Sequence, residues 1–575
     1  MFSNVHKSRS HNKKKTITPE PLSPRPAAAL RMMPSNSSNS SKHWSADRTA
    51  DLAAVAVLLT VAVIAGLTFR DYGMGWDDYT HAEYGDFLLS LHGSGFRDTR
   101  ALSFVNLYMY GGGFDMLAAL LAKILPFALF ETRRLAGAAV GLVGLFVVWR
   151  VARRVGGSKA GLLALVLLCI SPLYYGHMYM NPKDAPFAVA MALLLLGLVR
   201  AFEEYPRPAP ATVAIFAIGL GLSVGTRVIG GISALYAAAA LILVGGIEMR
   251  AMGARAAAIR MGQFVLALIP GLVLAYCVMA LAWPWSVTAP LNPFRATEYF
   301  SHFFEKPWKE MFDGVAILVP DMPRTYVPTL FALKEPEIVL LLGAAGTAGA
   351  LVAAMRRDLP TSQRAMLLLV ALAAVLPVVV TVIARPAMYN GIRHFVFITP
   401  AVAVLGGLAG AWLWQRLARF GRPALAAGAV AATAAVVSPV VEMVRLHPYQ
   451  YTHFNHLAGG VKAADDHYML DYWGLAFKQA ADELHAKLTL ALESPAPRGH
   501  WRIAVCGPHN PAAVELGPEF TTTYETKGAD FALMLGEFYC AEYKAPILVE
   551  IKREGVVYAR VYDIRGRTVR GVFVN

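Results

Sequence analysis

Long apolar blocks, separated by short polar segments, run through most of the chain. The first block extends from about Asp51 to Phe69 and the last from Pro423 to about Val444. A block of roughly 20 apolar residues is long enough to cross a bilayer as an α-helix. The pattern therefore predicts a polytopic α-helical membrane protein with about 11 transmembrane helices.

The positive charges between the blocks predict which loops face the cytoplasm. Short basic loops are retained on the cytoplasmic side. Eleven spans put the basic N-terminal tail and all of these clusters on that side: Arg150, Arg153 and Arg154; Arg207; Arg250, Arg255 and Arg260; Arg356 and Arg357; Arg416, Arg419 and Arg422. A further apolar stretch, Leu102 to Phe130, is interrupted by Gly111-Gly112-Gly113 and Asp115. Counting this stretch as a span would place every basic cluster on the opposite side of the membrane from the basic tail. We therefore expect the stretch to be interfacial or re-entrant.

Changes in composition divide the chain into three parts. Residues 1–48 are rich in Ser, Asn, Pro, Lys and Arg and read as a disordered basic cytoplasmic tail. Residues 49–445 form the transmembrane domain, with outer loops at about 70–132 and 283–336. Residues 446–575 predict a small α/β domain outside the cytoplasm. Its expected elements are a helix at Leu475–Leu488, strands at Arg502–Cys506 and Phe531–Leu535, and a hairpin from Ile547 to Tyr562 that turns at Glu554-Gly555.

Composition excludes two other classes of protein. The chain is 56% hydrophobic and only 16% charged, against about 25% charged residues in soluble domains. Its net charge of +14 is spread over the loops, so membrane lipid is the expected partner and nucleic acid is not. Four cysteines are too few for a disulfide scaffold. Cys169 and Cys277 lie in apolar blocks, whereas Cys506 and Cys540 can pair if their domain faces an oxidising compartment.

An acidic pair, Asp77-Asp78, follows the first span by a few residues. Carboxylates at a water boundary can take a proton from a substrate hydroxyl or hold a cation. The simpler alternative is a solvated helix flank. The neighbourhood favours chemistry, because aromatic and polar residues continue well beyond a plain connector: Trp76, Tyr79, His81, Glu83, Tyr84 and Asp86. A divalent cation near Asp77, Asp78 and His81 is compatible with this spacing, but no motif identifies a metal.

Further charged residues fall in other outer segments. They are the carboxylate Asp184 and the cations Arg133, Arg134, Lys183, Arg227, Arg393 and His394. For Arg133 and Lys183 taken singly, snorkelling to the headgroups is the better interpretation. Arg227 differs because it interrupts an otherwise apolar run from Ala211 to Gly246, where a cation is costly unless it meets an anion. Guanidinium groups match phosphate oxygens, so a lipid-borne phosphate is the expected anion.

The order of these features resembles the C-type (GT-C) glycosyltransferases. The shared features are a long first outer loop with an acidic pair, a helix that begins Arg134-Leu135, and Asp184-Ala185-Pro186 after the third helix. The resemblance covers residues 50 to about 445 and is closest to the protein O-mannosyltransferase and lipid A aminoarabinose transferase branch. Members of that superfamily transfer a sugar from a polyprenyl phosphate carrier outside the cytoplasm, with inversion at the anomeric carbon.

The resemblance implies roles for particular residues. Asp77 resembles the general base toward the acceptor hydroxyl, and Asp184 resembles the second active-site acid. Arg134 resembles an arginine that binds the carrier phosphate, and Arg227 and the pair Arg393-His394 match donor-binding basic residues more loosely. The relatives usually carry Asp-Glu where this chain has Asp77-Asp78, so both carboxylates are candidates for the base. The outer loop after the seventh helix is too short for the β domain of the protein mannosyltransferases.

Two aromatic segments, around Tyr449 and around Tyr472-Trp473, join the membrane part to the C-terminal domain. Neither has a counterpart that we can assign in the two named branches. An interface that docks the domain is the favoured interpretation. In the alternative, Tyr449, Tyr472 and Trp473 bind a sugar acceptor, since aromatic faces suit sugar rings.

We therefore expect a hexosyl- or pentosyltransferase of the cell envelope, located in a bacterial inner membrane with its active site facing the periplasm. Its donor would be a polyprenyl-phosphate-linked sugar, and its acceptor a hydroxyl of a lipid, glycan or protein. The rival hypothesis is a transporter or flippase for a lipid-linked or anionic solute, which predicts charges near the bilayer centre and internal symmetry. No internal repeat is evident, and the charges lie at the outer ends of helices. A role as an assembly scaffold stays open for residues 446–575.

Overall fold

A computed structural model of the chain describes residues 37–301, 307–491, 496 and 499–574. Residues 1–36 of the predicted tail lie outside the described residues, and the first helix already begins at Ser37, ahead of the expected boundary at residue 48. Residues Asp47–Asn575 group into one compact unit, which contains both the membrane part and the C-terminal domain.

The membrane part consists of helices with one short hairpin. Its elements are α1 (Ser37–Thr68), α2 (Asp78–Gly93), α3 (Gly113–Ala122), α4 (Leu129–Gly156), α5 (Ser158–Cys169), α6 (Pro172–Met180), α7 (Asp184–Glu203), α8 (Pro210–Thr226), α9 (Ser233–Met252), α10 (Ala254–Ala282), α11 (Asn292–Ser301), β1 (Lys309–Phe312), β2 (Val315–Leu318), α12 (Tyr326–Lys334), α13 (Glu337–Met355), α14 (Thr361–Ala384), α15 (Thr399–Ala418) and α16 (Arg422–Leu446).

The predicted spans are found as helices. Within the part of the chain that the structure describes, nine helices are long and apolar enough to cross a membrane. The third predicted span is the pair α5 and α6, bent by 64°, and the fifth is α8, an apolar helix of 17 residues. The bend has a local cause, because Pro172 starts α6 and the Ser171 side chain caps its first turn. The stretch from Leu102 to Phe130 holds only α3, whose ten residues are too few to span.

Burial separates the inner helices from the outer ones. In the apolar window of α7, 83% of residues are buried, whereas only 6% are buried in that of α16. An apolar helix that is buried on all sides lies in the interior of its bundle. Asp184, the first residue of α7, therefore lies at one end of the bundle's centre.

The C-terminal domain is built on one five-stranded sheet. Its elements are α17 (Gly460–Ala464), α18 (Ala476–Leu490), β3 (Trp501–Cys506), α19 (His509–Leu516), β4 (Phe520–Thr523), β5 (Phe531–Leu535), β6 (Ile547–Arg553) and β7 (Val556–Asp563). The strand order is β4-β3-β5-β7-β6. Strand β3 runs parallel to β4 and β5, while β7 pairs antiparallel with β5 and β6. All five residues of β5 are buried, as expected of a central strand covered on both faces.

The predicted elements of this domain are confirmed. The hairpin turns at Glu554-Gly555, where both residues have positive φ angles, 49° and 86°, as a two-residue type I′ turn requires. Helix α18 buries one apolar face that includes Phe477 and Leu484. Cys506, at the end of β3, is bonded to Cys540 with an S–S distance of 2.04 Å, so the structure contains the pairing that the sequence allowed.

Candidate active site

A cavity of about 820 Å³ lies between the membrane part and the C-terminal domain. Its lining comes from residues 76–81, 105–110, 308–310, 389–393, 469–472, 538–539 and 573–574, together with Lys183 and Arg227. Each of these segments was assigned to the same side of the membrane by the charge pattern. The fold therefore gathers the predicted outer segments around a single concave site.

Asp77 lies on the wall of this cavity, immediately before α2. Its side chain is 40% exposed, and its Oδ2 is 3.9 Å from Nη1 of Arg393. The preceding loop is fixed by Trp473, whose carbonyl accepts a hydrogen bond from the Trp76 amide at 3.0 Å. A Cβ at position 75 would overlap the Trp473 indole, which explains the glycine there. Asp77 is thus held in place while its carboxylate stays open to the cavity.

Asp78 points the other way and is completely buried. Its carboxylate accepts a hydrogen bond from the Gly75 amide at 2.7 Å and forms a two-pronged pair with Arg134. Arg134 also donates to the carbonyl of Gly73 at 2.8 Å. Neither Asp78 nor Arg134 lines the cavity. The structure therefore brings these two predicted site residues together, but away from Asp77's carboxylate.

Asp184 is held at the start of α7 by a local cap. The Asn181 side chain accepts hydrogen bonds from the Lys183 amide at 3.0 Å and the Asp184 amide at 2.7 Å, and it donates to the Asp184 carboxylate at 2.9 Å. Asp184 forms a close ion pair with Arg227 and lies 3.6 Å from Nη1 of Arg393. A carboxylate at a helix N-terminus also gains from the helix dipole. Asp184 therefore contacts both Arg227 and Arg393 and holds their guanidinium groups near each other.

Arg393 stands at the centre of this group. Its guanidinium lies 4.5 Å from the Trp473 ring and 5.0 Å from the Tyr389 ring, and only 4% of the side chain is exposed. Within the described residues, Nε and Nη1 of Arg393, Nε of Arg227 and Nδ1 of His394 are buried without a hydrogen-bond partner. Buried donors that lack partners are costly, and donors on cations are suited to binding an anion.

His394 and Arg227 also line a smaller cavity of about 180 Å³. It shares Tyr110, Arg227 and Tyr389 with the larger one, and its other lining residues are mostly apolar, among them Val228 and Ile229. Arg227 thus borders a large cavity of mixed polar and apolar lining and a small one lined mostly by apolar residues. Such a border suits a molecule with a charged head and a hydrocarbon tail.

The structure adds one cavity residue that the sequence did not single out, Glu310, and it places Lys183, for which snorkelling was the better interpretation, in the cavity wall. Glu310, on β1, lines the cavity, and burial raises its pKa to about 7. Burial together with the charge of Arg227 lowers the pKa of Lys183 to about 8, and its ammonium group lies 3.9 Å from the centre of the Tyr110 ring. No sequence motif marks Glu310, because its position depends on a short hairpin packed over the site.

The three aromatic residues proposed for the acceptor separate in the structure. Tyr472 lines the cavity, and its hydroxyl is 3.2 Å from Nε2 of His177. Trp473 is buried beneath Arg393. Tyr449 does not line the cavity; it is buried against Tyr558 of β7 and hydrogen-bonds to Gln479 of α18 at 3.0 Å. Tyr449 thus contacts the C-terminal domain, as the interface interpretation expected.

The three residues at which the sequence allowed a divalent cation do not converge. Asp78 is turned to Arg134, and Nδ1 of His81 is 2.7 Å from Asp115. Over the described residues, no group of three or more His, Cys, Asp and Glu side chains is arranged to hold a metal ion. Involvement of a cation from solution stays untested.

Several solved structures are similar to this chain at low identity. ArnT from Cupriavidus metallidurans gives a TM-score of 0.47 at 15% identity and covers 90% of this chain and 99% of its own; one similar structure of it contains undecaprenyl phosphate. The oligosaccharyltransferase of Archaeoglobus fulgidus gives 0.46 at 13% identity, over 83% of this chain and 65% of its own. The arabinofuranosyltransferase AftD from Mycobacteria gives a TM-score of 0.38 at 13% identity, over 88% of this chain and 41% of its own.

Sequence comparison gives one family. No curated protein matches the chain. Residues 113–283, from α3 to just beyond α10, match the model of the dolichyl-phosphate-mannose-protein mannosyltransferase family. The resemblance to GT-C glycosyltransferases is confirmed in this stretch, which carries Arg134, Asp184 and Arg227, while Asp77 and Arg393 lie outside the matched residues.

Proposed function

We propose that this protein is a membrane glycosyltransferase that moves one sugar from a polyprenyl-phosphate carrier to an acceptor hydroxyl, with inversion at the anomeric carbon. The observation that carries the proposal is that an accessible carboxylate and two arginines with unused buried donors line the same cavity. Asp77 opens to the cavity 3.9 Å from Arg393, and buried donors of Arg393 and Arg227 have no hydrogen-bond partner among the described residues.

The donor's phosphate would be held by Arg227 and Arg393, with His394 at the border of the smaller, apolar cavity. Asp184 contacts both arginines and would keep their donors aimed at the phosphate oxygens. Positive charge fixed where the leaving phosphate gains negative charge stabilises the transition state. The apolar cavity beside this centre has room for the first carbons of the lipid.

Asp77 would act as the general base. The acceptor oxygen attacks the anomeric carbon from the face opposite the phosphate and gives its proton to the Asp77 carboxylate. The bond between the anomeric carbon and the phosphate oxygen breaks, and the phosphate leaves with the electron pair. Attack from the opposite face inverts the anomeric configuration. Asp78 and Arg134 would fix the loop that presents Asp77, since their charges satisfy each other out of the cavity.

The name of the matched family supports the carrier class, because dolichyl phosphate mannose is a polyprenyl-phosphate sugar. A hexose or a pentose is the proposed cargo, and a lipid, glycan or protein hydroxyl the acceptor. We place the site on the periplasmic face of a bacterial inner membrane. The basic clusters of the opposite loops favour that orientation, and the Cys506–Cys540 bond fits an oxidising compartment.

The test is a transfer assay in membranes that contain wild type or Asp77→Asn at equal abundance. Radiolabelled polyprenyl-phosphate sugars are supplied with an extract of candidate acceptors. Asparagine keeps the size of the side chain but cannot accept the proton at neutral pH. We expect the variant to retain donor binding and to lose transfer by about 100-fold or more. Transfer at the wild-type rate by the variant would remove Asp77 as the base.

The same membranes test the transport hypothesis. Labelled donor lipid is placed in one leaflet, and its appearance in the other leaflet is followed without acceptor. If wild type moves the lipid across the bilayer but transfers no sugar from any carrier, the protein is a flippase and the proposed function is wrong. We expect sugar transfer and no such movement.

A further inference from the structure

His81 lies one helical turn after Asp77 on α2, and its amide donates to the Asp77 carbonyl at 3.0 Å. The imidazole lines the same cavity although the residue is only 3% exposed. Nδ1 is 2.7 Å from a carboxylate oxygen of Asp115, itself buried at the start of α3. Nothing in the proposed reaction has yet used this pair.

The contact with Asp115 determines which nitrogen of the His81 ring carries the proton. A carboxylate only accepts hydrogen bonds, so Nδ1 must be the donor, and in the neutral ring Nε2 is then the acceptor. Among the described residues, the structure records no hydrogen bond to Nε2 of His81. A buried imidazole oriented by a carboxylate, with its other nitrogen open to a substrate cavity, has the arrangement of a catalytic base.

The charges around His81 allow its imidazole to accept a proton. Arg133 donates to the other oxygen of Asp115 at 2.7 Å, and Asp78 is paired with Arg134. These two carboxylates and two arginines balance each other before the imidazole is counted. The ring therefore gains a charge only when it accepts a proton, and Asp115 is placed to stabilise that charge. Burial opposes the charge on Asp115, but Arg133 and His81, once the ring is protonated, outweigh it and lower the pKa of the Asp115 carboxyl.

We propose that His81 is a further catalytic residue, which receives the acceptor's proton from Asp77 at Nε2 while Asp115 positions the ring. This inference rests on the proposed function. The acceptor O–H bond breaks as its oxygen bonds to the anomeric carbon, and the proton passes through the Asp77 carboxylate to Nε2. The phosphate departs with the electron pair of the broken C–O bond, and His81 later returns the proton to water. An imidazole ordinarily holds a proton more firmly than an aspartate does, so the transfer draws the proton away from the reacting oxygens.

The test uses His81→Ala and rescue by added imidazole in the sugar-transfer assay. We expect kcat to fall by about 100-fold or more in His81→Ala and to be restored by imidazole, which the cavity of about 820 Å³ can admit. Substituted imidazoles of different basicity should restore it to extents that follow their pKa values. A ring that only packs α2 against α3 would give no such dependence, so loss of activity without rescue in a folded His81→Ala overturns the proposal.

The pH profile alone cannot assign the base, because other groups face this cavity. Glu310 and Lys183 have pKa values of about 7 and about 8, and Asp77, Arg227 and Arg393 carry charge beside them. The matched control is His92→Gln, on the same helix but away from the cavity, which should keep the wild-type kcat. If His81→Ala fails to fold, His81→Gln decides: a wild-type kcat contradicts the proposal, and a comparable loss at unchanged melting temperature supports it. If wild type itself transfers no sugar, the proposed function has failed instead.

Discussion

Two clusters of arginines and aspartates lie side by side at one end of the helix bundle, and they differ in whether they face the cavity of about 820 Å³. In the first, Asp78 and Asp115 face Arg134 and Arg133 at hydrogen-bond distance, fully buried. In the second, Asp77 and Asp184 share Arg393 at 3.9 and 3.6 Å. Asp77, Arg227 and Arg393 line the cavity, whereas no residue of the first cluster does. Both clusters contain buried arginine nitrogens without a hydrogen-bond partner among the described residues.

The difference separates a cluster that is closed off from the cavity from one that a ligand in the cavity can reach. In the closed cluster the charges act only on each other, and removing one partner of a buried ion pair is costly. Buried donors without partners are costly in both clusters, but only those beside the cavity gain a partner when an anion enters it. Adjacent aspartates in the sequence thus belong to clusters that differ in their access to the cavity.

The largest expected effect is a difference in stability between variants of the two adjacent aspartates. Asp78→Asn leaves Arg134 without its charge partner in a buried site, so we expect a loss of about 3–5 kcal/mol in the free energy of unfolding. Asp77 is partly exposed, and Asp77→Asn should change stability by less than about 1 kcal/mol. Thermal unfolding of both purified variants in detergent measures this. Equal melting temperatures would contradict the division into two clusters.

A smaller effect is expected from Arg393→Lys. Lysine keeps the charge but not the planar fork that can contact Asp77, Asp184 and a phosphate together, so kcat/KM for the donor should fall by about 10- to 100-fold. The matched control is Arg416→Lys in the last turn of α15, which should behave as wild type in steady-state kinetics. A donor KM that is unchanged in Arg393→Lys would exclude a phosphate at this centre.

The pH dependence of donor binding sharpens the comparison further. Lys183 has its pKa lowered to about 8, so in the folded protein it is charged below that pH and neutral above it. We expect the donor KM to rise severalfold between pH 7 and pH 9 as this charge is lost. Lys183→Arg, which stays charged over the whole range, should remove the rise. Glu310 titrates lower, with a pKa of about 7, so a rise that persists in Lys183→Arg would point to that residue.

Lys183 also affects stability, with a sign that follows from its pKa. Between about pH 8 and its ordinary value near 10.5, the unfolded chain binds this proton and the folded protein does not. Stability rises with pH wherever the unfolded state binds more protons. The contribution of Lys183 therefore favours the folded state as the pH increases through that window.

The smallest effect should come from chelation. In the proposed reaction, arginines stand where the phosphate charge develops, so we expect EDTA to change the transfer rate by less than about twofold. Assays with EDTA, followed by excess Mg²⁺ or Mn²⁺, measure this. A rate that EDTA abolishes and one metal restores would establish a cation at the site, with a ligand set other than Asp77, Asp78 and His81.

Local sequence determined the elements of the fold. Blocks of about 20 apolar residues must be helices in a bilayer, because no water satisfies their backbone groups there, and the basic loops orient them. In the C-terminal domain, β-branched and aromatic runs around Glu554-Gly555 specify a hairpin within a residue or two of the observed bounds. The acidic pair and Arg227 were also identifiable, because a charge beside or within an apolar block is costly unless it is paired or functional.

Only the tertiary structure decided which of these charges face the cavity. Asp77 and Asp78 are indistinguishable in sequence, yet the start of α2 turns one to the cavity and the other to Arg134. Glu310 enters the site, and Asp115 meets His81 in its wall, through contacts between residues far apart in the chain, which no local pattern encodes. Composition and periodicity fix which segments lie at the water boundary, but the packing of helices, hairpin and sheet determines which side chains meet there.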